Sequence, residues 1–169
     1  LRRFPKLDTH CVLIDNERSS YALVRRLTED GFRRIAVITT NPHLETMDAR
    51  RAGYGRALAD SGIAFDESLY GEVEFAGYER NLPGVLDRIF ARDEGVDGFF
   101  FTTHILALEA FRYTGEMLGR ALADVVTVTS PEAIFLFGGL SKAGKLIFEP
   151  TQWYMEENML FVFKNKVKL

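Results

Sequence analysis

Hydrophobic positions along the chain fall into two alternating rhythms. Short unbroken apolar runs, bounded by glycine or charged residues, read as strands; longer stretches with apolar residues three and four apart read as helices. Val12, Leu13 and Ile14 within Cys11–Asp15 form a first β-prone run, ended by Asp15 and Asn16. Ser19 or Ser20 can cap a helix starting near Tyr21, with Ala22, Leu23, Leu27 and Phe32 on its apolar side and Gly31 as its stop. Ile35–Thr39 does not alternate, the pattern of a strand buried on both faces of a parallel sheet. A helix over Glu45–Ser61, a strand over Ser68–Phe75 and a helix over Asn81–Ala91 follow. Gly98–Thr102 is then a strand that turns directly into a long helix, Ile105–Val128, whose stripe is Leu108, Phe111, Gly115, Leu118, Leu122 and Val125. Ala133–Phe137 reads as a fourth sheet strand, Gly138-Gly139 as its exit turn, Glu149–Leu160 as a helix and Lys166–Leu169 as an edge strand.

Strands and helices alternating at this spacing imply right-handed βαβ units. The expected fold class is therefore α/β, a three-layer, mostly parallel five-stranded sheet of flavodoxin-like or Rossmann-like order 2-1-3-4-5. It forms one domain over residues 1–169, with its ligand crevice at the carboxyl ends of the strands. The net charge of −3 gives no basic face for nucleic acid. No apolar run reaches the ~20 residues of a membrane span, and no signal peptide is visible, so the cytoplasm is the expected location. Cys11 is the one cysteine, which rules out an intrachain disulfide. His10, His43 and His104 lack metal-ligand spacing, and Asp15, Glu45 and Asp48 form no carboxylate pair for acid–base work. No cofactor, metal or catalysis is expected.

Val12-Leu13-Ile14-Asp15-Asn16, Leu27 to Gly31 ahead of Arg34–Ile38, Arg50-Arg51-Ala52-Gly53-Tyr54 with Ala57-Leu58, and Asp97–Phe101 before a helix carry a family pattern. In order and spacing they resemble the C-terminal lobe of the sugar-sensing domain of LacI-type (lactose-repressor family) regulators. The resemblance implies half of a clamshell that closes on a small effector. Leu106–Phe111, Thr114–Ala123, Ser130–Ile134, Gly138-Gly139-Leu140, Lys142-Ala143-Gly144, Glu157-Asn158 and Lys166-Val167-Lys168 resemble instead the C-terminal part of ROK-family sugar kinases. The two resemblances together imply an engineered, recombined chimera. Residues 1–108 would be repressor-like and 106–169 kinase-like, joined within helix 105–128 at a residue between 104 and 113. The repressor-like part shows no helix-turn-helix headpiece, and the kinase-like part no phosphate loop, catalytic aspartate segment or zinc cluster. The expectation is a domain without evolved catalytic or DNA-binding function and without partners. Surface left bare by the absent lobe would favour a homodimer. The alternative is a module that binds a sugar or phosphate weakly through half of a LacI-type effector site.

Six residues are candidates for ligand contact. The resemblance places Arg50 where the family's arginine holds sugar hydroxyls, work suited to a guanidinium fork; the competing reading is a solvated helix arginine beside Arg51. Thr103 stands where the family commonly has asparagine, and His104 where it has aspartate, which leaves His104 readable as a turn or cap residue. Asn41, at the end of the first buried strand, belongs to the same crevice. Gly138 and Gly139 could bring backbone N–H groups to a phosphate, or could simply make a turn that needs free φ.

Overall fold

In the computed structural model of the chain, residues 12–40, 44–91 and 94–169 are described. Contacts divide the chain into two units, Leu1–Leu106 and Ala107–Leu169. The first is built around β1 (Ile35–Thr40), every residue of which is buried. Such a strand needs a neighbour on each edge and cover on each face. β2 (Tyr70–Val73) pairs parallel on one side, Ile38 opposite Gly71, and β3 (Gly98–Phe101) pairs parallel on the other, Ile38 opposite Phe101. The sheet order is 2-1-3.

Three helices complete this unit: α1 (Asn16–Glu29), α2 (Glu45–Asp60) and α3 (Tyr78–Phe90). Asp15 caps α1, its carboxylate accepting from the Arg18 N–H at 2.9 Å. That cap starts the helix five residues earlier than a Ser20 cap would. Gly53 of α2 lies directly under the α1 backbone, where an added Cβ would collide with the Glu17 carbonyl. Val24, Ile35, Val37, Tyr54, Ala57, Leu58 and Phe100 form the buried cluster, with the Tyr54 and Phe100 rings stacked at 6.0 Å. The Tyr54 hydroxyl donates to the Ile35 carbonyl at 2.8 Å. At the amino end of β1 the Asp97 carboxylate accepts from the N–H groups of Arg33 and Arg34, both at 2.8 Å, and so docks β3 beside β1.

In the second unit, α4 (His104–Thr129) continues from the first as one unbroken helix, and α5 (Lys145–Asn158) follows a 3₁₀ turn at Leu140–Ala143. Ala123, Val126, Met155, Met159 and Val167 make its core. The approach between α4 and α5 is set by glycines. A Cβ on Gly115 would lie 2.7 Å from Pro150 Cγ, and one on Gly119 would lie 2.6 Å from the Thr151 carbonyl oxygen.

The five-stranded order 2-1-3-4-5 is corrected to a three-stranded 2-1-3 sheet. Of the expected fourth and fifth strands only an isolated parallel bridge, Ala133 to Lys168, forms. Phe135 and Phe137, 77% and 88% exposed, have no sheet face to enter. The apolar run alone could not reveal this, because a strand becomes one only when a neighbour pairs with it. Residues 12–15 are likewise irregular and exposed, and Ser68–Phe75 shortens to β2 after a 3₁₀ turn at Glu67–Leu69. The α4 stripe is also displaced. Leu108 and Val125 are exposed while Gly115, Gly119, Ala123 and Val126 are buried, because a close helix pair buries its smallest residues rather than its most apolar ones.

Two sets of measurements check this packing. Gly84 in α3 has nothing within 4 Å of an added Cβ, so Gly84→Ala should raise the denaturation midpoint through helix propensity, worth up to ~1 kcal/mol. Gly119→Ala should lower it by ~1–3 kcal/mol despite the same propensity gain, since the colliding atoms are backbone. If both variants are stabilised, the α4–α5 approach is wrong. Burial, with Asp66 adding to it, pushes the Tyr54 phenol up to about 12. A raised phenol favours the neutral folded form, so its contribution is intact below the unfolded value near ~10 and is lost between there and about 12. Urea midpoints of the wild type should fall across that window by the equivalent of ~2–3 kcal/mol more than those of Tyr54→Phe. Parallel curves for the two proteins would mean that Tyr54 ionises without resistance.

Candidate functional site

β1 ends in two threonines and Thr102 directly follows β3, so polar groups collect there. The Thr102 hydroxyl donates to that of Thr39 at 3.1 Å, and both residues are buried. The Thr102 N–H continues the ladder to the Ile38 carbonyl at 3.0 Å. Thr40, also buried, has a hydroxyl without a partner among the described residues.

Onto this end α2 brings Arg50. Its Nε donates to Asn16 Oδ1 at 2.9 Å and its Nη1 donates to the Thr102 carbonyl. Asn16 in turn donates from Nδ2 to the Ile14 carbonyl at 3.1 Å. The half-buried guanidinium thus straps the first residue of α1 to the turn after β3. Its Nη2 has no partner among the described residues and does not belong to the buried unsatisfied atoms. Beside the strap lies a cavity of about 240 Å³ lined by Ile14, Asp15, Asn16, Glu45, Thr46 and Ala49. Its titratable groups are acidic. Past the end of β2, the Phe75 ring stands 42% exposed and tilted 31° to Tyr78 at 5.9 Å.

Of the candidates read from sequence, Arg50 is neither a free ligand arm nor a solvated helix arginine. Thr103 is half-buried in the turn that Arg50 holds, and His104 is the exposed first residue of α4. Asn41 lies outside the described residues, as do His10, Cys11 and His43. Gly138 and Gly139 belong to the second unit. Gly138 adopts φ +98°, and its carbonyl accepts from the Ser141 hydroxyl at 2.7 Å, the geometry of a turn that requires glycine. Asn16 and Phe75 were not singled out from sequence. Asn16 reads as the end of an apolar run that forms no strand, and Phe75 as part of the strand before it; for Phe75 the usable signal is an aromatic residue just past a strand's carboxyl end.

Two other features compete for attention. A larger cavity, about 400 Å³, opens at the amino edge of the sheet beside Arg34, Tyr54, Phe65 and Asp66. There the Arg34 guanidinium is already committed, to the Gly95 carbonyl at 2.7 Å and Glu94 at 2.8 Å, and its remaining Nη2 is sealed from solvent. In the second unit Arg112 pairs with Glu109 at 2.7 Å and Glu116 at 3.0 Å and donates to the Tyr154 hydroxyl. That network ties α4 to α5. No group of three or more histidine, cysteine, aspartate or glutamate residues able to hold a metal occurs among the described residues.

No protein-family model matches the chain. It is 30% identical to the HTH-type transcriptional regulator GalR of Escherichia coli (strain K12) over 89 residues, 52% of this chain and 26% of that protein. To the HTH-type transcriptional regulator CelR of Thermobifida fusca it is 32% identical over 126 residues, 73% of this chain and 36% of that protein. Among solved structures it is similar to a sugar-binding transcriptional regulator (LacI family) from Escherichia coli complexed with phosphate. The TM-score is 0.57 at 27% identity, covering 69% of this chain and 41% of that one. A CelR–cellobiose complex gives a TM-score of 0.51 at 30% identity, covering 59% of this chain and 30% of that one. The chain therefore spans about a quarter to two-fifths of the length of these proteins.

These findings overturn the expectation of an engineered chimera without an evolved function. The 126 residues matched to CelR cannot fit within a repressor-like part ending at 108, and the relatives are natural regulators. Nothing in the matches supports a ROK-type segment. The named relatives are transcriptional regulators rather than enzymes. Over 52% to 73% of its length, the chain is homologous to transcriptional regulators of the LacI family.

Proposed function

We propose that the first unit is the effector-binding lobe of a sugar-responsive transcriptional regulator, and that it takes a sugar at the carboxyl edge of its sheet. The observation that carries this reading is Arg50. Its guanidinium is oriented by two acceptors, keeps Nη2 uncommitted among the described residues, and is bonded to Asn16, which lines an acidic cavity. A polyol suits such a wall better than an anion does. Hydroxyl oxygens accept from the guanidinium while hydroxyl hydrogens donate to carboxylates such as Glu45 and Asp15. A phosphate beside the same carboxylates would meet like charge. The exposed Phe75 ring offers an apolar face for the C–H side of a pyranose. CelR, solved with cellobiose, makes a glucose-containing disaccharide the first ligand to test. A regulator of this kind acts in the cytoplasm, and among the described residues no helix is long and apolar enough to cross a membrane.

Alone, one lobe supplies one wall of a clamshell, so millimolar affinity is expected. Titration of cellobiose into the chain, followed by amide NMR, should shift residues at the ends of β1 and β3. Arg50→Ala should weaken binding about ten- to a hundredfold, the loss expected for a hydrogen bond from a charged group. Unchanged affinity in Arg50→Ala would sink this reading. Saturable binding of inorganic phosphate but not of sugar, lost in the same variant, would replace the polyol by an anion.

A further inference from the structure

We infer that Asn16 is a positioning residue for Arg50, fixing the plane in which the guanidinium meets its ligand. The inference rests on the sugar-binding reading above and adds to it a residue that acts on the ligand through Arg50. An asparagine carboxamide has a donor end and an acceptor end. Here the donor end is committed, since Nδ2 gives its hydrogen to the Ile14 carbonyl at 3.1 Å. Oδ1 must therefore face Arg50 Nε, which donates to it at 2.9 Å. The opposite amide orientation would set N–H against N–H and lose both bonds.

Asn16 is itself anchored. It opens α1 immediately after the Asp15 cap, and the Asp15 carbonyl accepts from the Ser19 N–H at 3.0 Å. The acceptor that Arg50 meets is thus carried on a helix end rather than a free loop. With Nε fixed by Asn16 and Nη1 by the Thr102 carbonyl, two bonds to two separate elements define the guanidinium plane. Arginine otherwise carries large rotamer freedom, and a ligand that must order it binds more weakly. Pre-orientation removes that cost before the sugar arrives.

The test needs a readout that general loosening of the fold would not mimic. Asn16→Leu keeps the size and removes the acceptor; Asn16→Asp keeps an acceptor oxygen and suits a helix start. Both should melt close to the wild type, because the cap itself is Asp15. Side-chain NMR of the full chain should show Arg50 Nε–H exchanging with solvent at least about tenfold faster in Asn16→Leu, with protection retained in Asn16→Asp. Cellobiose affinity should fall about tenfold in Asn16→Leu and recover in Asn16→Asp. Unchanged Nε–H exchange in Asn16→Leu overturns the positioning role, as does a freed Arg50 with undiminished cellobiose affinity. Failure of the wild type to bind cellobiose counts against the sugar reading instead, and the exchange rates then decide by themselves whether Asn16 holds Arg50.

Discussion

The burial of β1 governs the first unit. Six consecutive buried residues require paired backbone on both edges and apolar cover on both faces. β2, β3 and the three helices meet that requirement, and β3 is then held at each end by a charged side chain, to β1 at one end and to α1 at the other. At the amino end the Asp97 carboxylate takes two N–H groups from Arg33 and Arg34; at the carboxyl end the Arg50 guanidinium takes the Thr102 carbonyl. One tie is finished, with both carboxylate oxygens used. The other keeps a donor in hand, and that difference is our reason for proposing the site at the carboxyl edge although the larger cavity lies at the amino edge.

The second unit is held by a different rule. Its helices meet where Gly115 and Gly119 let backbone approach backbone, and the exposed apolar side chains lie elsewhere on the same helix. Hydrophobicity chooses which face of a helix tends to be covered, but a close crossing is chosen by size. The half-buried Arg112 network then links the pair.

Much of the first unit could be read from residues alone because its signals are local. The unalternating run at Ile35–Thr39, the glycine before Phe99 and the helical spacing of Leu82, Leu86 and Ile89 each determine an element without reference to distant partners. The remainder depended on partners. Ala133–Phe137 has a strand's composition, yet strand formation is a property of a pair. Arg50 and Thr103 could be named as candidates from residues alone, whereas the bond from Arg50 to Asn16 could not, since a residue 34 positions away declares no partner until the fold brings them together. The chimeric reading failed for a related reason. Short fragments match by chance far more easily than 126 aligned residues do, and it is the longer match, to a natural regulator, that carries descent.

The central claim is that this lobe receives a sugar at the carboxyl edge of a three-stranded parallel sheet, on an arginine already oriented by the fold. A crystal structure of the chain soaked with cellobiose tests it most directly. The account predicts sugar density against the Arg50 guanidinium, beside the cavity formed by Asn16, Glu45 and Ala49, with the bond to Thr102 kept. Sugar density confined to the amino-edge cavity beside Tyr54 and Phe65, with Arg50 uncontacted, would contradict it.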